Sequence, residues 1–138
     1  MTFEVLWKVH GILMSSSFTA MLCGIIISLF FKKNKWRYRI HRKLGIYAGI
    51  SGAASLLVAA IMVQIFTGAH FTSAHTLAGG LTGIFLILTP IFGLTIRTVK
   101  NKALMKLLHR IAGFLTAALM LLTILLGLSL SGILSLQF

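Results

Sequence analysis

The sequence is poor in acids. One Glu and no Asp stand against 13 Lys and Arg in 138 residues, a formal net charge of +12. Carboxylate pairs for acid–base chemistry and carboxylate-bound metal clusters are therefore excluded. Cysteine is nearly absent too: Cys23 is alone, so neither a disulfide framework nor a CxxCH haem-attachment motif exists. Charge of any kind is scarce, at 10% of residues, where soluble domains carry roughly a quarter. Too few polar residues remain to cover a water-soluble globule.

What is present is apolar and arranged in long runs. The stretches Val9 to Phe31, Leu44 to Ile96 and Ile111 to Phe138 contain no Asp, Glu, Lys or Arg. A membrane-spanning helix needs about 20 apolar residues, so the runs hold one, two and one spans. The expected fold is an all-α, integral membrane, four-helix up-down bundle, a single domain over residues 1–138. Helices are predicted at about 5–31, 37–66, 72–97 and 103–132. The first run is too long for a cleaved signal peptide and leads into a dense basic segment, so it reads as a retained span. Little chain lies outside the spans, which leaves no room for a soluble catalytic domain.

The basic residues mark the connections. Lys32, Lys33, Lys35, Arg37, Arg39, Arg42 and Lys43 cluster at the first, and Arg97, Lys100, Lys102, Lys106 and Arg110 at the third, while the middle connection has none. Basic loops stay cytoplasmic, which predicts both termini on the outer side and a multi-pass protein of the cell (inner) membrane if the chain is prokaryotic. The positive charge is interrupted by the spans and does not point to nucleic acid. Trp7 and Trp36 read as interface anchors.

Four histidines punctuate the spans. His10, His41, His75 and His109 recur at intervals of 31, 34 and 34 along the chain, one near the start of each helix. Neighbouring helices run in opposite directions, so His10 and His75 fall toward the outer side and His41 and His109 toward the cytoplasm. In an up-down bundle helices one and three are diagonal, as are two and four, and each histidine pair faces across the core, where bundles build cofactor sites. One histidine in a membrane is readily explained as a hydrogen bond between helices. Four at equivalent places are not, because ionisable residues within spans are costly and default to function.

Glycines follow the histidines. His41, Gly45 and Gly49 form H-x3-G-x3-G, as do His75, Gly79 and Gly83, and His109, Gly113 and Ala117 repeat the pattern. Residues four apart share a helix face, so each histidine heads a groove against which a flat macrocycle can lie. Small-xxx-small helix packing accounts for the glycines without a cofactor, but not for the histidines. Gly93 and Gly127 follow His75 and His109 by eighteen positions, about five turns, and are expected to leave each helix clear where it passes a second macrocycle; Gly24 lies nearly on that face of helix one. Zinc prefers several close ligands, often Cys or acids. Two imidazoles across an apolar gap suit an iron porphyrin instead. With both axial positions filled, such a centre transfers electrons rather than handling oxygen.

The set His10-Gly11-Ile12-Leu13-Met14, His41-Arg42-Lys43-Leu44-Gly45, His75-Thr76-Leu77-Ala78-Gly79 with Pro90 and Gly93, and His109-Arg110-Ile111-Ala112-Gly113 resembles the transmembrane di-haem cytochrome b561 family, from His10 to about Leu128. The resemblance implies two haem b groups, ligated by His10 with His75 and by His41 with His109, with Gly45, Gly79 and Gly113 beside them. It also implies electron transfer from a cytoplasmic donor, commonly ascorbate, to an outer acceptor such as monodehydroascorbate or a ferric chelate. Typical eukaryotic members have six helices, and this chain has the central four. Alternatives are a quinone-linked protein, such as a superoxide oxidase or quinol-dependent reductase, and a non-redox transporter or scaffold lined by histidines. The partners expected are the lipid bilayer and a small-molecule or protein donor and acceptor, with a homodimer or a place in a redox complex left open.

Among the other residues, His70 is read as an outer-surface residue, with substrate contact or replacement of His75 as the alternatives. Arg42, Lys43 and Arg110 adjoin the cytoplasmic ligands and are candidates for haem propionates or lipid headgroups, with Lys8 in the same position outside. Met14 and Phe18 continue the His10 face as packing residues. Pro90 is expected to kink helix three.

Overall fold

The computed structural model describes residues 2–132. Within them the chain forms four helices and no strand: α1 (Phe3–Phe30), α2 (Arg37–Phe66), α3 (Ala74–Thr95) and α4 (Lys102–Leu130). All four are long and apolar enough to cross a membrane. Even α3, at 22 residues, measures about 33 Å at 1.5 Å per residue, enough for a hydrocarbon layer of about 30 Å.

The ends of the helices have local causes. Helix α3 starts two residues later than the apolar run suggests because Ser73 and Thr76 form a reciprocal capping box, a polar start written in S-x-x-T rather than in hydropathy. Asn101 caps α4 by accepting from the Leu104 amide. Helix α1 stops at Phe30, one residue short of the expected end, and two tight turns lead through the basic connection into α2. Pro90 lies inside α3 without ending it. Its ring packs where a Cβ on Gly49 would stand, 3.4 Å away, so the missing side chain on α2 accommodates the proline on α3.

The helices pack as two antiparallel hairpins. α1 pairs most closely with α2, and α3 with α4; α2 touches α3 and α1 touches α4 more lightly, while the backbones of the diagonal pairs do not come within 8 Å of each other between Cα atoms. Polar pairs give the registers. His10 meets Ser55, Ser17 donates to the Ala48 carbonyl at 2.7 Å, and His41 meets Gly24, so one partner's number rises as the other's falls. Thr82 bonds Thr123 at 3.0 Å and Thr89 bonds Thr116 at 2.9 Å in the second hairpin. Apolar side chains lie equally well against lipid, so small residues and interhelical hydrogen bonds hold such helices together. The buried polar side chains Ser17, Ser55, Thr82, Thr116 and Thr123 belong to these pairs, buried Ser51 donates to the Leu13 carbonyl at 3.0 Å, and no buried side-chain N or O among the described residues lacks a partner. A plug of Met14, Ala20, Met21, Ala48, Leu86 and Met120 fills the centre. Large apolar side chains cover the outside, from Ile12 and Ile26 on α1 to Leu121 and Leu125 on α4.

Candidate functional site: two facing histidine pairs

The four span histidines come together in the expected pairs. His10 and His75 face each other with ring centres 6.3 Å apart and planes at 88°; His41 and His109 do so at 5.8 Å and 86°. The first pair stands at the end holding the start of α1, the second at the end holding the start of α2. Each pair bridges diagonal helices.

Every one of these imidazoles is oriented in the same way. Nδ1 lies 3.0 Å from the Ser55 carbonyl for His10, 2.9 Å from that of Gly24 for His41, 2.9 Å from that of Thr123 for His75 and 2.9 Å from that of Thr89 for His109. A carbonyl oxygen only accepts, so each Nδ1 carries the proton and donates it. Each Nε2 is then left with a lone pair, and none has a hydrogen-bond partner among the described residues. A backbone carbonyl fixing the tautomer is the usual outer partner of a metal-bound histidine.

The spacing within the pairs is close to a metal's width, matching it at 6.3 Å for His10–His75 and falling about 0.5 Å short of it at 5.8 Å for His41–His109. A first-row metal binds imidazole nitrogen at about 2.0–2.1 Å and the ring centre lies roughly 1.1 Å behind that nitrogen, so two rings sharing one ion have centres about 6.3 Å apart. No group of three or more His, Cys, Asp or Glu converges among the described residues. A porphyrin needs only two protein ligands, because its own nitrogens fill the equatorial plane. The donor set and spacing therefore fit a haem.

The surroundings of the second pair fit as well. A cleft of about 440 Å³ runs past His41 and His109, bordered by Gly45, Gly93, Pro90, Arg42 and Arg110, within the range of small-ligand sites of about 300–1,000 Å³. A Cβ on Gly45 would meet nothing within 4 Å, and one on Gly113 only the Thr89 methyl at 3.8 Å. Gly79, beside His75, meets only the Thr123 methyl, at 3.6 Å. The grooves are shorter than H-x3-G-x3-G suggests: the second glycine is covered, Gly49 by Pro90 and Gly83 by Leu56.

Gly93 and Gly127 do something other than expected. A Cβ on Gly93 would lie 2.9 Å from His109 Cε1, and one on Gly127 would lie 2.9 Å from His75 Cε1. These glycines seat the neighbouring helix's imidazole, and Gly93 also borders the cleft. Gly24 has the same part toward His41, at 3.6 Å.

The internal repeat reaches beyond the histidines. A shift of 34 maps His75, Thr82, Thr89 and Gly93 onto His109, Thr116, Thr123 and Gly127; a shift of 31 maps His10 and Gly24 onto His41 and Ser55. In every helix the carbonyl that orients the hairpin partner's histidine lies fourteen positions after the helix's own: Gly24, Ser55, Thr89 and Thr123. Fourteen helical positions rise about 21 Å, so the two pairs stand about that far apart along the bundle, with the apolar plug between them. Ser55, Thr89 and Thr123 went unread in the sequence because a backbone carbonyl has no residue signature; the repeat that relates the two threonines was the available signal.

The remaining candidates fall as follows. Arg42 and Arg110 border the cleft, joined by Arg37 and Lys106, while Lys43 is exposed outside its lining. Arg97 stacks on Tyr38, 4.5 Å from the ring centre, a cation–π contact between the two basic connections that the sequence did not disclose. Lys8 pairs with Glu4 one helical turn away. His70 is exposed, donating from Nε2 to Gln64 Oε1 at 3.2 Å and lying beside Phe71; His75, not His70, faces His10. Met14 is buried and Phe18 packs against the core. Trp36 packs at a tilt against Phe31 at the basic connection. Comparison with protein-family models, curated proteins and solved structures finds no match to this chain.

Proposed function

We propose that the chain carries electrons across a membrane through two b-type haems, one held by His10 and His75 and one by His41 and His109, in the manner of the cytochrome b561 family it resembles. One observation carries the reading: four imidazoles, each with Nδ1–H given to a carbonyl and Nε2 without a hydrogen-bond partner, face each other in pairs with ring centres 6.3 and 5.8 Å apart. Haem held by these histidines would supply one-electron oxidation and reduction.

The chain's own part is to hold, space and seal. The carbonyls of Gly24, Ser55, Thr89 and Thr123 lock the tautomers, so both ligands of a pair present a lone pair without rearrangement. Gly93 and Gly127 let two imidazoles sit against a neighbouring backbone. Gly45, Gly79 and Gly113 keep side chains away from the faces of the sites. Met21, Ala48, Leu86 and Met120 close the bundle between the two levels, excluding water and ions from the path. Basic connections on the cytoplasmic side put both termini outside and make the plug a barrier between two compartments. Donor and acceptor act at opposite faces: a reductant such as ascorbate or a quinol, and an acceptor such as monodehydroascorbate or a ferric chelate.

Purified full-length protein expressed with ample haem should be red, show a sharp α band on dithionite reduction, and leave its reduced spectrum unchanged under carbon monoxide. A folded, colourless preparation would remove the proposal. A spectrum converted by carbon monoxide would mean an open axial position and contradict the bis-histidine assignment.

A further inference from the structure

The two histidine pairs have the same ligands but opposite electrostatic settings. Beside His41 and His109 the cleft is bordered by Arg37, Arg42, Lys106 and Arg110, with Arg97 nearby on Tyr38. Twelve of the 13 basic residues of the chain belong to the two connections at this end. Around His10 and His75 the balance is different. Lys8, the basic residue of that end, is paired with Glu4, and His70 bonds a neutral amide. A cleft with one sign of charge and low-dielectric walls focuses its field.

A second asymmetry separates the pairs at the level of a single hydroxyl. Where the repeat puts Gly24 behind His41, it puts Ser55 behind His10. Ser55 Oγ donates to the His10 carbonyl at 3.0 Å. With its proton so used, the same oxygen lies 2.9 Å from His10 Nδ1 and accepts from it, in addition to the Ser55 carbonyl at 3.0 Å. The hydrogen-bond geometry gives the other three histidines one acceptor each. An imidazole whose Nδ1–H is drawn to two oxygens is a more basic ligand, and outer-shell partners of this kind raise ligand basicity.

We infer that the His41–His109 site is the higher-potential one, the place where an electron shared between the two sites comes to rest, and that Arg42 and Arg110 at one end and Ser55 at the other set this order. The inference rests on the haem reading above. Adding an electron lowers the charge of a site by one. Nearby cations favour that change and a more basic ligand opposes it, so both asymmetries act in the same direction. When the sites equilibrate, one electron leaves the His10–His75 site as one arrives at the His41–His109 site, and no external oxidant or reductant is consumed. An electron delivered by a cytoplasmic donor at the basic end therefore rests there, and its passage to the His10–His75 site is the uphill step that the outer acceptor draws.

The test is a spectroelectrochemical titration of the full-length, haem-loaded protein in detergent, comparing wild type with Arg42→Gln/Arg110→Gln and with Ser55→Ala. Wild type should show two one-electron waves. The double arginine variant should lower the upper wave by about tenfold in electron affinity, about 59 mV for one electron, and leave the lower wave in place. Ser55→Ala should raise the lower wave and leave the upper one. Raising ionic strength from about 0.01 to 1 M, which shortens the screening length from about 30 to 3 Å, should lower the upper wave of the wild type more than the lower, and gives a reading should the arginine variant fail to fold. Two haems with the arginine change or salt acting on the lower wave would overturn the assigned order alone. A wild type without haem would overturn the haem reading together with it.

Discussion

At the scale of single residues, the role of each imidazole depends on which of its ring nitrogens is occupied. A histidine in a membrane span that served only helix packing would have its ring nitrogens partnered by the helices around it. Here Nδ1 of each is partnered by a carbonyl, Nε2 has no hydrogen-bond partner among the described residues, and each ring faces its diagonal counterpart. The glycines separate these roles. Gly45→Leu adds a side chain where a Cβ meets nothing, so the bare bundle should keep its stability within about 0.5 kcal/mol while one of two haems is lost; absorbance per mole of protein and thermal unfolding of the haem-free form read the two effects apart. Gly93→Ala behaves differently, because its Cβ would press on His109. Overpacking of this sort costs about 1–3 kcal/mol, and both stability and the haem at that site should fall. His70→Ala, at an exposed position bonded to Gln64, should change haem content by nothing measurable.

At the scale of helices, the pairing depends on small polar residues in place of a water-driven core. Thr82 and Thr123 share a buried hydrogen bond, and interhelical bonds of this kind are worth about 0.6 kcal/mol on average and at most about 1.7. Thr82→Val should cost that much in unfolding from detergent micelles and retain both haems, since the Thr123 carbonyl that orients His75 is untouched. Gly52 sits where α2 crosses α3, and a Cβ there would run into Leu86 and stand 2.9 Å from Ser17 Oγ. Gly52→Ala should therefore destabilise by about 1–3 kcal/mol, a larger loss than at Thr82, measurable in the same unfolding experiment.

The helices also show which parts of the fold could be read from the chain. Uncharged runs and a regular histidine spacing lead to four spans and two diagonal pairs because hydropathy and helical period act residue by residue. The start of α3 escaped that reading because Ser73 and Thr76 act through hydrogen bonds to backbone. The oriented tautomers escaped it because Gly24, Ser55, Thr89 and Thr123 act through carbonyls that every residue has. Gly93 and Gly127 were legible as space and misassigned as to what fills it: period alone places them on the His75 and His109 faces, and only the crossing of α3 and α4 shows that a neighbouring imidazole fills it.

At the scale of the whole molecule, the chain is a repeat turned over on itself. Each hairpin relates its two ends by a shift of 31 or 34 in the numbering, so equivalent ligand sets stand about 21 Å apart on either side of one apolar plug. The charge does not follow this symmetry: it gathers at one end, and the orientation proposed from it has that end in the cytoplasm. With Cys23 changed to Ser, a cysteine placed at Gly68 should react with a membrane-impermeant maleimide applied to intact cells, and one at Lys100 should react only after the cells are opened. The reverse pattern would invert the topology.

The most direct measurement of the central claim is haem per chain across single and double histidine replacements. Wild type should bind two. His10→Ala and His75→Ala should each leave one, and together still one, because both remove ligands of the same site; His41→Ala with His109→Ala should behave alike. His10→Ala combined with His41→Ala should leave none. Haem content unmoved by any of these changes, or a His10–His75 double variant that loses both haems while His10–His41 keeps one, would contradict the pairing on which the account stands.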